Sequence, residues 1–395
     1  MSEILSRQYK SMFSVPSMDI RDMDLEHLRS KTFSTLHNIE VTTSMIEQAI
    51  KDIPNDASPG PNGIGPLFLK NGGLFVYEAL EDILKQSLSE SYIPQIMKDI
   101  WITPLWKGGP KTDPAEYRPL AMSSHLIKTL ERVVRKQLVE YLEDYSLLEI
   151  CQHGSRAGRS TLTQLMSQHT KLLESLKDGS NLELLYLDFS KAFDKVSHPI
   201  LLERMAELGI GGNLLEWIRA FLSDRYQRIR VGQKLSDKTY VLSGVPQGSV
   251  LGPVLFLIFI STLGDNIPDK DHLFKYVDDT KYYGKVKNDE DICNFQERLN
   301  TLYNWADTNE MKWNSLKFQL LRMGPDEGLV EDSLIFSPNY QDIIGQSELV
   351  KDLGILIDAE MTYKNQRDKA ILKANQKSGW VSRECSTIDA YIYGK

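Results

Sequence analysis

The sequence has few cysteines, and no two of them lie close together in the chain. Only Cys151, Cys293 and Cys385 occur among 395 residues, far apart along the chain. This spacing excludes the ligand pairs of a structural zinc site and an even-numbered disulfide framework. We therefore expect a protein of a reducing compartment.

Long apolar segments are also scarce. The first residues, MSEILSRQYKSMFSVPS, lack the apolar run of a secretory signal peptide. The longest strongly apolar stretch, Val250 to Ile260, is shorter than the ~20 residues that cross a bilayer, and it contains Gly252 and Pro253. We expect a soluble, intracellular protein without a membrane partner.

An excess of basic residues is missing as well. The formal net charge is -8 and the pI is near 5.5, whereas nucleic-acid-binding proteins usually present a basic face. This counts against a nucleic acid partner, although an acidic metal site and a separate basic track can cancel in the sum. The composition, 41% hydrophobic and 25% charged, is that of a folded chain with two or three lobes.

The order of local patterns indicates an α+β fold. WITPLWKGGPKTDPAEYRPLAM reads as strand, loop, strand, and LELLYLDF as a short apolar strand. HLFKYVDDTKYYGKV predicts a β-hairpin, and DICNFQERLNTLYNWADTNEM predicts the helix after it. Such a sequence of elements is typical of helices packed on a small sheet.

Three acidic residues stand out at the ends of these strands. Asp188 ends an apolar strand, while Asp278 and Asp279 lie at the hairpin tip. A single acid in such a place is more often a solvated loop residue. Adjacent carboxylates repel each other, however, and a divalent cation compensates that repulsion. Two Mg²⁺ ions about 3.5–4 Å apart would suit phosphoryl transfer, yet spacing in the sequence alone cannot join these acids.

Eight motifs, in order over residues 50 to 365, resemble those of non-LTR (LINE-type) retrotransposon reverse transcriptases, the jockey-like branch most of all. Five belong to the catalytic part: YLDFSKAFDKVSH, GVPQGSVLGPVLF, YVDDTK, NSLKFQ and the primer-grip motif VKDLGILID. Three upstream match the finger motifs: ASPGPNGI, YRPLAMSSHLIKTLERV and QHGSRAGRST. The resemblance implies a right-hand polymerase with fingers, an RRM-like palm and an incomplete thumb.

The resemblance also implies a role for each matched residue. The metal-binding triad is Asp188, Asp278 and Asp279, and Lys317 is the general acid for pyrophosphate departure. The deoxynucleotide would be bound by the Phe189 carbonyl, the steric gate Phe193, Gln247, Gly248, Arg118 and Lys107. Template and primer would be contacted by Arg156, Arg159, Leu353 and Gly354. His198 and the other histidines show no nucleophile or ligand spacing, which indicates structural roles.

The implied organisation has four parts. Residues 1–50 form an N-terminal extension, 51–181 the fingers, 182–348 the palm, and 349–395 the primer grip with the start of a thumb. The implied cofactor is a pair of Mg²⁺ ions, with Mn²⁺ as a substitute. The implied partners are an RNA template, a DNA primer, deoxynucleotides and an element-encoded nucleic-acid-binding protein, in a nuclear or cytoplasmic ribonucleoprotein.

Some residues depart from the family pattern. Asn62, Ser155 and Ala157 replace the usual residues of the finger motifs, and Tyr276-Val277 precedes the acid pair instead of Phe-Ala. Few residues follow the primer grip, so we interpret the chain as a truncated copy. Three hypotheses therefore stand: a working RNA-directed DNA polymerase, an inactive remnant that only binds nucleic acid, and an unrelated two-metal enzyme such as a nucleotide cyclase.

Overall fold

The computed structural model describes residues 1–268, 270–324, 334–340 and 342–393. The chain forms two compact units, and each unit is built from three separate segments. Unit 1 consists of Met1–Ala157, Phe189–Asp265 and Asn304–Lys312. Unit 2 consists of Gly158–Asp188, Asn266–Tyr303 and Trp313–Lys395.

The secondary structure is mixed, as the sequence predicts. The α-helices of the described ranges are, in chain order, α1 Ser2–Lys10, α2 Thr43–Lys51, α3 Pro66–Asn71, α4 Gly73–Ser89, α5 Gln95–Lys98, α6 His125–Asp144, α7 Thr161–Lys177, α8 His198–Glu207, α9 Gly212–Leu222, α10 Gly252–Phe259, α11 Asp289–Thr308 and α12 Lys364–Tyr393. The strands are β1 Ile100–Trp106, β2 Tyr117–Met122, β3 Asn181–Leu187, β4 Tyr226–Val231, β5 Lys234–Leu235, β6 Thr239–Tyr240, β7 Leu273–Tyr276, β8 Asp279–Val286, β9 Gln319–Met323, β10 Leu349–Asp352 and β11 Ile355–Asp358.

Unit 1 contains a sheet in the order β2-β1-β4-β5, and β6 also pairs with β4. β1 is antiparallel to β2 and parallel to β4, which confirms the predicted strand, loop, strand over residues 101–122. Helix α1 buries its apolar face against this sheet, in a core formed by Leu5, Tyr9, Met12, Ile100, Ile102, Ala121 and Ile229. The segment before residue 50 is therefore part of the core of unit 1.

Unit 2 is built on an antiparallel sheet in the order β7-β8-β3-β9. The predicted hairpin is confirmed, because β7 and β8 are joined by the two-residue turn Val277-Asp278. One face of the sheet packs on α7 and on the hairpin β10-β11, through an apolar core of Leu172, Leu182, Leu184, Phe274, Tyr283, Leu321, Met323, Val350 and Ile357. On the other face, Tyr282 stacks on Phe295 of α11 with ring centroids 5.5 Å apart.

The mixed α+β class is confirmed by this architecture. The two units divide the chain at positions other than 50, 181 and 348, because the strands of the unit 2 sheet come from three distant segments. The four-part division stays a prediction. Among the described residues, no helix combines the length and hydropathy that crossing a membrane requires.

Candidate active site

The register of the central strand pair places two of the predicted acids opposite each other. Leu187 of β3 pairs with Thr280 of β8, so one further step along the antiparallel ladder brings Asp188 opposite Asp279. Asp278 lies in the adjoining turn. The pKa of Asp279 is raised to about 6, first by loss of hydration and then by the charges of Asp278 and Asp188. The fold therefore brings Asp188 to the adjacent pair Asp278 and Asp279, about ninety residues away in the sequence.

The turn that carries Asp278 is strained. Val277 has φ +58°, in the left-handed region, where the branched Cβ of valine meets the backbone. A two-residue hairpin turn with positive φ at its first position ordinarily has glycine there. Surrounding structure must hold this conformation, and such strain is typical of functional sites.

Lys317 is held at the same end of the sheet. Its ammonium nitrogen lies 2.7 Å from Oδ2 of Asp188. The short turn before β9 sets this position, because the Asn314 amide donates to the Asp188 carbonyl and the Lys317 amide donates to the Asn314 carbonyl. The pair is open to water, since 63% of the Lys317 side chain is exposed.

The donor set fits a divalent cation in its chemistry. Carboxylate oxygens are the ligands that Mg²⁺ prefers. The pKa of Asp279 is raised first by burial and then by the charge of Asp278, and a cation would relieve that repulsion. Within the described ranges, no three His, Cys, Asp or Glu side chains already have the spacing of a formed metal site.

The predicted nucleotide-binding residues lie in unit 1, around a loop of residues 244–249 that we call the PQG loop. The ring of Phe193 stacks on Phe256, with centroids 4.7 Å apart and planes inclined by 16°. The Phe193 carbonyl accepts from the Val245 amide at 2.8 Å, which fixes the loop beside the ring. The predicted steric gate is therefore held rigidly by its neighbours. Phe189 is buried at the start of the same segment.

Gly248 allows the PQG loop to approach β2 closely. The Ala121 amide donates to the Gln247 carbonyl at 2.8 Å. Gly248 has φ +107°, and a Cβ at this position would lie 2.9 Å from the Ala121 carbonyl oxygen. Glycine is needed here both for its backbone conformation and for space.

Asp194 holds the side chain of Gln247. Nε2 of Gln247 donates to Oδ2 of Asp194 at 2.9 Å, and the Ser243 hydroxyl donates to the Asp194 carbonyl at 2.8 Å. Burial raises the pKa of Asp194 to about 6, although Lys191 and the Gln247 hydrogen bond oppose the shift. Asp194 thereby fixes both the segment that enters the PQG loop and the side-chain amide of Gln247.

Two further buried residues anchor the ends of the PQG loop. The Glu131 carboxylate accepts from the Val250 and Leu251 amides at 2.6 and 2.9 Å, at the N-terminus of α10. Burial lowers the pKa of His198 to about 4, so the neutral imidazole donates from Nε2 to the Gly244 carbonyl at 2.8 Å. His198 is in a structural position, in agreement with the prediction.

The two predicted phosphate ligands are exposed cations of unit 1. Arg118 lies on β2, opposite Leu105 of β1. Lys107 follows β1, and its ammonium donates to the Ala115 carbonyl at 2.9 Å. Both cations are accessible to a ligand, and their part in binding triphosphate stays a prediction.

Arg156 is engaged within its own loop. Its guanidinium donates from Nε to Glu143 at 2.8 Å and from Nη1 to the Glu149 carbonyl at 2.7 Å, and its side chain is only 7% exposed. These contacts favour a bracing role for Arg156, and a template phosphate would have to compete with Glu143. Arg159, in unit 2, is half-buried just before α7. Template contact stays a prediction for both residues.

Leu353 and Gly354 form the turn of the hairpin β10-β11. Asp352 pairs with Ile355, so these two residues are the whole loop. Both have positive φ, +44° and +95°, as a two-residue type I′ turn requires. This turn, which we call the primer-grip turn, is half-buried at Leu353 and exposed at Gly354.

The structure gathers the predicted residues into two sets. Unit 2 holds the acids, Lys317, Arg159 and the primer-grip turn, and unit 1 holds the other predicted residues, including the PQG loop. Asp194 and Glu131 were missed as functional residues, although each lies inside a quoted motif. Glu131 had a usable signal, because it interrupts the apolar face that Leu130 and Val134 present on α6.

Comparison with known proteins identifies a family for this chain. Residues 109–357 match the family described as reverse transcriptase (RNA-dependent DNA polymerase). The chain is 29% identical over 333 residues to the probable RNA-directed DNA polymerase from transposon BS of Drosophila melanogaster, covering 80% of this chain and 36% of that protein. It is 27% identical over 346 residues to the RNA-directed DNA polymerase from mobile element jockey of the same organism, covering 86% and 37%. It thus spans about a third of the length of these relatives.

Proposed function

Because the chain belongs to the reverse transcriptase family, on the branch of the non-LTR retrotransposons, we propose that it catalyses RNA-directed DNA polymerisation from a template-bound primer. The observation that carries the proposal is the pairing of Asp188 with Asp279 beside Asp278, which concentrates three carboxylates at one sheet end. Its substrates would be deoxynucleotides, an RNA template and a DNA primer, and an element-encoded nucleic-acid-binding protein is the proposed partner.

In the proposed reaction, the primer 3′ oxygen forms a bond to the α-phosphorus of the deoxynucleotide. The bond from that phosphorus to the bridging oxygen of the departing pyrophosphate breaks. Asp188, Asp278 and Asp279 would hold two Mg²⁺ ions, with Mn²⁺ as a substitute and the Phe189 carbonyl as a further ligand. Bound ions of this kind lower the pKa of the attacking hydroxyl and neutralise the leaving group.

The side chains of the protein are proposed to position the substrates and to donate a proton. Lys317, held at Asp188, is the proposed proton donor to the departing pyrophosphate, where general acid catalysis contributes roughly 10²–10⁴-fold. Arg118 and Lys107 are the proposed triphosphate ligands, Arg118 through bidentate contacts. Gln247 is proposed to contact the incoming sugar.

Phe193 is the proposed gate against a ribose 2′-hydroxyl. Its stacking on Phe256 keeps the ring from moving aside, and only a rigid ring can exclude an oxygen atom by clash. Arg159 and the primer-grip turn are the proposed contacts to template and primer, with Arg156 bracing its loop. We further propose the right-hand division into an N-terminal extension at 1–50, fingers at 51–181, palm at 182–348 and primer grip with thumb start at 349–395.

The other two hypotheses are less well supported. An inactive remnant does not require the acids Asp188, Asp278 and Asp279 at one sheet end or the hydrogen bond from Gln247 to Asp194, and all of these are present. A nucleotide cyclase is disfavoured by the match of residues 109–357 to the reverse transcriptase family.

The test is incorporation of dTTP on poly(rA)/oligo(dT) with Mg²⁺ or Mn²⁺. We expect incorporation by the wild-type chain and none by the double variant Asp278→Asn/Asp279→Asn. A matched control, Asp289→Asn/Glu290→Gln, removes the same charge at the exposed first turn of α11 and should keep wild-type activity. Thermal unfolding shows that each protein is folded. No incorporation by folded wild-type chain, or equal incorporation by the Asp278/Asp279 variant, would overturn the proposal.

A further inference from the structure

Three polar side chains are buried together in unit 2, and none of them belongs to the proposed catalytic set. Lys281 lies on β8, Asp352 ends β10, and Gln168 lies on α7. Lys281 is ion-paired with Oδ1 of Asp352 and donates to Oε1 of Gln168 at 3.0 Å. Nε2 of Gln168 donates to Oδ2 of Asp352 at 2.9 Å. The result is a closed triangle of hydrogen bonds, and its members are all 2% exposed or less.

This network lies next to the acids along strands β3 and β8. Lys281 pairs with Tyr186 across β3 and β8, and its ammonium lies 5.7 Å from the centre of the Tyr186 ring. Side chains two residues apart on a strand share a face, so Tyr186 and Lys281 share the face of Asp188 and Asp279. On that face they form the next cross-strand pair after the acids, since the intervening pair Leu187–Thr280 faces the other side of the sheet.

The same network holds the base of the primer-grip turn. Asp352 is the residue immediately before Leu353, and its carboxylate is bound on both oxygens. The hairpin β10-β11 belongs to a different strand pairing from the sheet that carries the acids. Within the described residues, the Lys281–Asp352 pair is thus a direct polar link from the catalytic hairpin to that turn.

Stability alone does not account for a buried polar triangle in this place. Its surroundings are apolar, with Leu184, Tyr283 and Val350 in the adjoining core. Removing a buried ion pair in favour of apolar side chains of similar volume is often neutral or stabilising. Charged hydrogen bonds have narrow distance and angle requirements, whereas apolar contacts allow sliding. The network therefore specifies geometry where packing alone would leave it loose.

We propose that Lys281, Asp352 and Gln168 are positioning residues that fix the primer-grip turn relative to the catalytic acids, and through it the primer 3′-hydroxyl. The inference rests on the proposed polymerase function and adds residues to it. Reactions of this kind lose rate steeply with misplacement, roughly 10²-fold for about 1 Å. Loss of the network should lower the single-turnover rate and leave the deoxynucleotide KM nearly unchanged, because none of the three residues belongs to the proposed nucleotide-binding set.

The decisive variant, which we call the Lys281/Asp352 variant, is Lys281→Met/Asp352→Leu/Gln168→Leu. It removes both charges together with the amide that is hydrogen-bonded to them, so no member of the triangle is left buried without its partners. We expect its thermal unfolding midpoint to equal or exceed that of the wild type, and its single-turnover rate to fall at least about tenfold. The matched control is Arg322→Met/Glu183→Leu, which removes the largely buried ion pair between Arg322 of β9 and Glu183 of β3, at a distance from the acids. That control should keep the wild-type rate within about twofold.

A second measurement is independent of activity. Nitroxide labels at Lys351→Cys and Lys285→Cys, in a background with the native cysteines replaced by serine, report the distance from the hairpin that carries the primer-grip turn to β8 by pulsed electron paramagnetic resonance. Both lysines are exposed, so the labels do not disturb the turn itself. We expect a narrow distance distribution in the wild-type background and in the Arg322/Glu183 control, and a broad or shifted one in the Lys281/Asp352 variant. An unchanged distribution in that variant overturns the proposal, whatever its rate. A wild-type chain that extends no primer overturns the polymerase function instead, and the distance distributions still decide the positioning role.

Discussion

Lys317 and Asp188 form an ion pair at the point where the proposed metal ions would bind. The lysine lies on the turn before β9 and the aspartate at the end of β3, so the pair spans two neighbouring strands of the unit 2 sheet. A cation at Asp188 and the ammonium of Lys317 compete for the same carboxylate. Lys317 would leave Asp188 when that carboxylate holds a cation, and its ammonium would then be available as the proposed proton donor.

The first prediction follows from this competition. Lys317→Met should lower the incorporation rate by about 10²-fold or more, since the proton donor is lost. The same variant should reach half-maximal activity at a Mg²⁺ concentration up to about five-fold lower, because an exposed pair contributes roughly 1 kcal/mol or less. A Mg²⁺ titration of dTTP incorporation measures both quantities. Lys285→Met, at an exposed lysine of β8, is the control, and a higher Mg²⁺ requirement in Lys317→Met would contradict the competition.

The second prediction concerns the strained turn at the acids. Asparagine tolerates the left-handed region that Val277 occupies, so Val277→Asn should raise the free energy of unfolding by about 1 kcal/mol. Chemical denaturation measures this change. Val15→Asn, at an exposed valine outside the positive-φ residues, should change it by less than about 0.5 kcal/mol. A destabilised Val277→Asn protein would show that the side chain of Val277 stabilises the turn by contacts that outweigh the strain.

The third prediction concerns the close approach of the PQG loop to β2. Gly248→Ala places a methyl group 2.9 Å from the Ala121 carbonyl oxygen on a backbone with φ +107°, so the loop must move away. We expect the KM for dTTP to rise about tenfold or more, as for a displaced binding group. Gly345→Ala is the matched control, because a Cβ there meets no atom within 4 Å. Steady-state kinetics measure the KM of both variants. An unchanged KM in Gly248→Ala would show that the PQG loop is not part of the nucleotide site.

The fourth prediction is a pH dependence of stability. Asp194 has a pKa of about 6 in the folded chain against an ordinary value of 3.8, so its neutral form is favoured by folding. This contribution is fully present below pH 3.8 and is lost as pH rises through 6, up to roughly 3 kcal/mol for a shift of about two units. Asp194→Asn mimics the neutral acid and keeps an oxygen that accepts from Gln247.

The thermal unfolding midpoint should therefore be higher in Asp194→Asn than in the wild type at pH 8, and the difference should vanish near pH 4. Differential scanning calorimetry at several pH values measures the difference in midpoint at both pH 8 and pH 4. A variant less stable than the wild type at pH 8 would mean that the charged carboxylate is compensated by its surroundings.

Much of unit 2 could be predicted from local pattern. The apolar strand before Asp188, the hairpin with its acid pair, and the helix that follows all occur where the sequence indicates them. Short apolar strands, a two-residue turn and helical periodicity are local properties, so they are visible without the fold. The opposition of Asp188 and Asp279 was expected only from the resemblance, since nothing local relates two strands so far apart.

The supporting residues could not be predicted in the same way. Lys275 and Lys281 flank the acid pair on strands, where a lysine ordinarily faces solvent, yet both are buried. Lys281 meets Asp352 across 71 positions and Gln168 across 113, and no periodicity reports such a contact. Arg156 shows the reverse case, because a basic residue in a basic motif turned out to be held by Glu143.

The strand pairing of unit 2 also determines when, during synthesis of the chain, the acids can come together. β3 leaves the ribosome with Asp188, but its partners β8 and β9 follow about ninety and more than one hundred and thirty residues later. Contacts of such sequence separation form slowly, after long loops have closed. A nascent chain that ends before residue 279 therefore cannot pair Asp188 with Asp279. Strand β9, the last strand of this sheet along the chain, begins shortly after Lys317. The proposed catalytic set can therefore assemble only after the segments that carry most of the proposed nucleotide-binding residues have been synthesised.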